Sequence, residues 1–366
     1  MGQRTRYPFR NLVVEVTERC NNACRHCCNY WRGDGGGSST PELSRAEICA
    51  LVAKVQQDAP LVQVALSGGE PLLRPDLPEI ACDLASRGLA ALVITNGALL
   101  SKARLQRFPA ASFFEITLFS ADGALHNQMT GRMVFDRLLE NIVRLRRQGH
   151  KFVLACVITK LNAHDVAGTI KLGVALGAEA VMLNRVNLSR RAFRLAEQLV
   201  PTVAQLNASL RAAEELAGTY GIPVAVSVPI PPCLADPREF PHLHFGWCPR
   251  GDRNAYYTIG CSGLLRPCNH SSVILGDLRA EGFADIVGRR HVKEFWKSVA
   301  PECQQCTHPL KEQCRGGCPA AADECYGSPR RMDPFVQLSR GTWCTVNRSG
   351  HPPAPASQRR CEGTPP

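Results

Sequence analysis

Long hydrophobic runs are missing from this chain. Nowhere do eighteen apolar residues follow one another, which excludes a helix able to cross a bilayer. Met1 to Arg10 is polar and basic without an apolar stretch, so no secretory signal is expected. Blocks of like charge are missing too. Lysine and arginine outnumber aspartate and glutamate by 43 to 32, a net charge of +11, yet no six basic residues are consecutive. Scattered arginines suit an acidic partner or an anionic cofactor better than a nucleic acid. What the chain has in excess is cysteine, 18 in 366 residues. Without a secretory signal these thiols point to a reducing, cytoplasmic setting, and to metal rather than disulfides.

Three of the thiols stand close together, as Cys20-x3-Cys24-x2-Cys27, just after the apolar run Leu12–Val16. Three thiolates make an incomplete site, because a tetrahedral centre wants four ligands and a cubane cluster one for each iron. Either a distant residue supplies the fourth, or one iron is left open for another molecule. A structural zinc knuckle is the plainer alternative, but His26 is badly placed beside Cys27 to complete it.

The chain up to about residue 220 alternates between two textures. Short apolar runs at 12–16, 61–66, 90–95, 113–118, 152–158 and 180–184 read as buried strands. Between and after them, helices are expected near 45–57, 76–86, 101–107, 134–147, 165–176 and 202–219, the first opened by a Ser44/Glu47 capping box. Strands apolar on both sides, each followed by a helix, call for an α/β fold with a parallel sheet under helices. Six units are too few for a closed eight-strand barrel, so an open six-strand partial barrel over residues 12–220 fits best. Function then belongs to the loops after the strands. These are Ser67-Gly68-Gly69-Glu70-Pro71, Thr95-Asn96-Gly97 and Ser120-Ala121-Asp122-Gly123. The two glycines let backbone approach a ligand, and Glu70 offers an acceptor for an ammonium group. Residues 1–11 form a short leading segment and 221–247 a bridge. From there the alternation stops, and ten of the eighteen cysteines crowd between 233 and 344. Residues 345–366, rich in proline and arginine, read as a disordered tail.

Cys20-x3-Cys24-x2-Cys27 with Gly68-Gly69-Glu70 one strand later resembles the radical S-adenosylmethionine (radical SAM) superfamily over residues 12–220. His26 stands where relatives usually carry an aromatic. The resemblance implies a (β/α)6 partial TIM barrel in which the three cysteines hold a [4Fe–4S] cluster. S-adenosyl-L-methionine chelates its open iron, and one electron cleaves it to a 5′-deoxyadenosyl radical. It further implies that Gly68, Gly69 and Glu70 hold the methionyl amine. Asn96, Ser120, Asn184 and Arg185 would line the ribose and carboxylate.

Cys248, Gly263 and Cys268, followed by Cys303-x2-Cys306-x7-Cys314-x3-Cys318, resemble the SPASM extension over residues 248–344. That likeness implies two auxiliary [4Fe–4S] clusters, with Cys248, Cys268 and Cys318 on the first and Cys303, Cys306 and Cys314 on the second. Relatives often end in Asp-Pro-x-Cys, but here Asp333-Pro334-Phe335 runs into Val336. The second cluster's fourth ligand is then expected to be Cys344, with Cys325 or no residue as alternatives. For the first cluster Cys261, in the hairpin Tyr256–Cys268, is preferred over Cys233 or an open iron. Cys28, Cys49, Cys82, Cys156 and Cys361 fall outside both patterns. His242, His244 and His270 lie near Cys248 and Cys268 as loop residues or as substrate contacts.

The expected function is hydrogen abstraction by a radical SAM/SPASM oxidoreductase-type enzyme, on a ribosomally made peptide. The alternatives are a small-molecule substrate, such as a tetrapyrrole, sugar or cofactor precursor, or a non-catalytic zinc or electron-transfer module. Sulfatase-type formylglycine formation fits less well, because Asn269 stands where those maturases carry an aspartate after the equivalent of Cys268. A reductant such as flavodoxin or ferredoxin is implied. With eleven residues before the first strand, a separate leader-peptide-binding protein is expected for a peptide substrate.

Overall fold

Strand alternation explains the barrel. Leu12, Val14 and Val16 are buried in one apolar core with Val64, Leu66, Val93, Phe114, Ile116 and Leu154. The side chains between them, including Val13, Glu15, Ser67, Ile94 and Glu115, project from the opposite face of the sheet. The computed structural model describes residues 7–31, 41–188, 190–251 and 253–341. Cys344, Cys361, residues 345–366 and most of the glycine-rich stretch after Trp31 lie outside these.

Six strands pair in parallel in chain order: β1 (Asn11–Thr17), β2 (Gln63–Gly68), β3 (Ala90–Thr95), β4 (Phe113–Thr117), β5 (Lys151–Ile158) and β6 (Val181–Arg185). Helices Arg45–Gln56, Leu77–Ser86, Phe135–Arg147 and Val166–Leu176 lie between them in the chain. Ser44 and Glu47 do form the capping box, with Glu47 Oε2 accepting from Ser44 N at 2.7 Å. Each fully buried Leu, Ile, Val or Phe of this core contributes about 1.5–3 kcal/mol, so the barrel rests on apolar burial.

Both edges of this sheet continue into the second half of the chain. On one side β7 (Val224–Val226) and β8 (Leu243–Phe245) add in parallel beyond β6. On the other, β9 (Thr258–Ile259) pairs in parallel with β1 and antiparallel with β10 (Leu264–Arg266), which carries β11 (Gly276–Asp277). Among the described residues the sheet has eleven strands. The hairpin is the one expected between Tyr256 and Cys268, and docking on β1 brings it beside the first cysteine loop.

Several short helices were not expected, one of them between β4 and β5. Gly123–Thr130 forms where the sequence suggested only a loop. Asp122 caps it, its carboxylate accepting from Ala124 N at 2.8 Å and Leu125 N at 3.3 Å, and Gly131 ends it in the left-handed region at φ 66°.

Candidate metal centres

The first cysteine loop leaves β1 at Thr17 and is sewn to the loop after β2. Gly69 N donates to Thr17 O at 2.8 Å, and Glu70 N donates to Arg19 O at 2.8 Å. A Cβ on Gly68 would sit 2.1 Å from Thr17 O, and one on Gly69 would sit 2.2 Å from Arg19 O. Gly68 also has φ +136°. The two glycines are therefore required by the close approach of two loops, whatever ligand comes later. Cys20, Cys24 and Cys27 lie on this loop, each partly exposed. Asn22 N donates to Cys20 Sγ at 3.5 Å. The loop is further pinned through Ala23 N, which donates to Thr130 O at 2.8 Å.

Glu70 sits at the junction of β2 and β3. Its carboxylate is buried and already carries three donors: Leu72 N at 3.0 Å, Thr95 Oγ1 at 2.6 Å and Asn96 N at 2.8 Å. These bonds brace the ends of β2 and β3. Asn96 reaches the cysteine loop, its Nδ2 donating to Asn21 Oδ1 at 2.8 Å. Ser120 is buried and its hydroxyl is bound to Asp165, which also accepts from Ala121 N at 2.8 Å.

The resemblance places Arg185 beside the cofactor. Val181 and Leu183 pack outward into the helical layer, and the two-residue period sends Arg185 the same way, opposite Asn184. There its guanidinium pairs with Asp333, donates to Pro229 O at 2.9 Å and lies 4.6 Å over the ring of Phe335. Both partners of the ion pair are fully buried. Arg185 thus joins the barrel to the second half of the chain rather than lining the strand mouth.

His26 fills the place of the aromatic by acting as one. It packs edge-on against Phe119, with ring centroids 4.4 Å apart. Burial and nearby His126 hold its pKa down at about 4, so the ring is neutral. Burial, with Cys27 next to it, pushes the Cys28 thiol up to about 12. Beyond Cys28, Tyr30 and Trp31 cover the guanidinium of Arg266, at 4.8 and 5.6 Å, and Arg266 pairs with buried Glu15.

In the second half the thiols divide into two sets. Cys248, Cys268 and Cys318 line a small cavity of about 30 Å³ together with Tyr256 and His270. Burial first, then Cys318 and Cys248, raises the thiol of Cys268. Cys318 N donates to Asp333 Oδ2 at 2.8 Å, so the Arg185–Asp333 pair also fixes this thiol's backbone. Cys261 does not join them. Its side chain turns to Glu18 on the first cysteine loop, the outcome of strand alternation within the hairpin.

A larger cavity of about 460 Å³ is lined by Cys303, Cys306, Cys314 and also by Cys233. The sequence offered Cys233 only as an alternative for the other site. Cys325 lines neither cavity; it is buried on helix Pro319–Tyr326 with its sulfur 4.0 Å from Leu188 O. Among the described residues no three His, Cys, Asp or Glu side chains close on one point as around a single ion. The thiols instead ring cavities. Of the histidines, His242 is tied to Glu214 at 2.5 Å, His308 lines the larger thiol cavity, and His270 faces the smaller one, kept neutral by burial with a pKa near 4.

A sequence model of the Radical SAM superfamily matches residues 14–173. PqqA peptide cyclase of Xanthomonas campestris pv. campestris is 28% identical over 367 residues, covering 95% of this chain and 93% of its own. PqqA peptide cyclase of Ruegeria pomeroyi is 28% identical over 345 residues, covering 90% and 87%. Among solved structures, Streptococcus suis SuiB bound to precursor peptide SuiA aligns with a TM-score of 0.68 at 15% identity, over 89% of this chain and 75% of that one. Native anSMEcpe with bound AdoMet and Cp18Cys peptide aligns at 0.67 and 17% identity, over 92% and 96%. These two share the fold of the barrel and of the cysteine-rich half. Residues 14–173 thus match a radical SAM domain, and cysteine spacing, fold and relatives aligned along nearly the whole chain agree on an iron–sulfur- and S-adenosylmethionine-dependent enzyme of radical SAM type.

Proposed function

We propose that this enzyme modifies a ribosomally made peptide by joining two of its side chains. One observation carries the reading: relatives named PqqA peptide cyclase align along nearly the whole of both chains, the cysteine-rich half included. When bound, the clusters and S-adenosylmethionine supply a 5′-deoxyadenosyl radical that takes one hydrogen atom from the peptide, and an acceptor for the electron released as the second hydrogen leaves as a proton.

The protein's part is positioning. Cys20, Cys24 and Cys27 would hold the first cluster by three thiolates and leave one iron open to the cofactor. The Gly68-Gly69 backbone and Asn96 keep that loop against the ends of β2 and β3, and buried Glu70 fixes the junction. Cys248, Cys268 and Cys318 hold one auxiliary cluster, and Cys303, Cys306 and Cys314 part of another. A reductant of the flavodoxin or ferredoxin kind and a separate leader-binding protein complete the system.

The test uses the full chain, reconstituted anaerobically and reduced with dithionite, and a candidate peptide encoded beside its gene. The expected product is lighter by two hydrogen atoms, with fragmentation placing the loss on a bridge between two residues, alongside 5′-deoxyadenosine. Cys24→Ala abolishes both products. A loss confined to one Ser or Cys would indicate formylglycine formation instead. Turnover of a tetrapyrrole or sugar with no change in any peptide would sink the reading.

A further inference from the structure

We propose that Cys233 is the fourth ligand of the second auxiliary cluster, completing a set with Cys303, Cys306 and Cys314. This rests on the auxiliary-cluster reading above and assigns a residue it leaves open.

Four thiols line one cavity of about 460 Å³, and three of them arrive from a single stretch, residues 303–314. The fourth comes from the bridge after β7, some seventy residues earlier in the chain. Its position is built rather than incidental. Pro231 and Pro232 stiffen the approach, and Leu234 N donates to Pro231 O at 2.9 Å to close a turn around Cys233. The Cys233 carbonyl accepts from Arg340 at 3.1 Å. Three residues on, Asp236 meets His308 at 3.3 Å, and His308 follows Cys306 by two positions. The bridge is thus clamped on either side of the thiol, once to each part of the chain that forms the cavity.

The opposite wall explains why a thiol is needed from this direction. Asp333 and Pro334 keep structural roles, since Asp333 holds Arg185 and caps helix Pro334–Ser339 through Phe335 N at 3.0 Å. Val336 lines the cavity at the place where the Asp-Pro-x-Cys pattern would put a sulfur. A methyl-bearing side chain binds no iron, and the exposed thiol across the cavity takes over that duty.

The experiment compares full-length wild type with Cys233→Ala, Cys344→Ala and the double variant Cys233→Ala/Val336→Cys, each reconstituted anaerobically. Iron and sulfide content and the electron paramagnetic resonance of the dithionite-reduced protein are measured, with circular dichroism as the folding control. Cys233→Ala is expected to lose the iron and signal of one auxiliary cluster and to keep the others, while Cys344→Ala matches wild type. Val336→Cys is expected to restore the lost signal in the Cys233→Ala background. A merely structural cysteine would not be rescued from the far wall. Loss of the cluster in Cys344→Ala with retention in Cys233→Ala overturns the assignment. If wild type itself binds iron for one cluster only, the auxiliary-cluster reading fails first, and this inference falls with it.

Discussion

The two halves of the chain are held together by different means. In the barrel, order along the chain is order in space: β1 to β6 pair with successive neighbours, and Leu12, Val64, Val93, Phe114 and Leu154 fill one core beneath the helices. In the second half, strands are two or three residues long and helices seldom exceed two turns. Its apolar residues, Leu265, Phe283, Ile286 and Phe335 among them, are buried in clusters shared with the barrel, and polar contacts such as Arg185–Asp333, Arg266–Glu15 and Asp236–His308 add to them. A region with little core of its own leans on its neighbours and on bound metal. The barrel's strand order follows its sequence order, whereas the second half builds on the barrel's two sheet edges.

Arg185→Met should break that comparison most sharply. It leaves Asp333 charged and buried without its partner, a change that typically costs about 3–5 kcal/mol. The loss should fall on the second half, because Asp333 also accepts from Cys318 N and caps the helix at Phe335. Urea unfolding followed by iron release should show the auxiliary clusters lost at lower urea than the barrel's secondary structure. Replacing both partners, Arg185→Met with Asp333→Leu, should recover part of the stability. A single unchanged transition in Arg185→Met would mean the seam is not where the two halves are joined.

Cys261→Ala asks a narrower question about the same half. The thiol points to Glu18 and away from Cys248, Cys268 and Cys318, so iron content and cluster spectra should match wild type. The cost is the small cavity left by one buried sulfur, about 1 kcal/mol. Loss of one cluster's iron would show that the hairpin turns this side chain toward Cys268 when iron binds.

How much of this was legible beforehand follows the same division. A covered parallel sheet prints its strands as apolar runs, and all six appear within two residues of their expected positions, 12–16 against Asn11–Thr17 and 113–118 against Phe113–Thr117, for example. The cysteine spacings marked which thiols gather locally. What stayed hidden depends on which way a side chain faces or on contacts between distant segments. Gly68 and Gly69 read as room for a ligand, whereas their first duty is to let two loops touch. Glu70 read as an open acceptor and is buried under three donors. Arg185 is expected from the resemblance beside the cofactor, and here shares the face of Val181 and Leu183 and pairs with Asp333. Asp122 before Gly123 was an available cap signal for the missed helix. Cys233 carried a signal as well, a lone thiol behind two prolines in a chain whose expected last cysteine is Val336, but no spacing rule links residues seventy apart.

The gentlest test falls inside the barrel. Glu115 projects from the face of β4 opposite the helices, level with Ile94 on β3 and Val153 on β5. Burial alone raises its pKa from 4.5 to about 7. The sign of the consequence is set by proton binding: between pH 4.5 and 7 the folded protein keeps a proton that the unfolded chain has released. Stability contributed by this group is therefore complete below about pH 4.5 and declines as the pH rises to about 7. Glu115→Gln removes the titration while keeping size and polarity. The difference in urea midpoint between pH 5 and pH 8 should shrink in the variant, with the gain appearing at pH 8 and little change at pH 5. An identical pH dependence in both proteins would mean that Glu115 is ionised and solvated in the folded state. The lumen of the barrel would then be as polar as the second half, and the contrast between the two would be weaker than the packing implies.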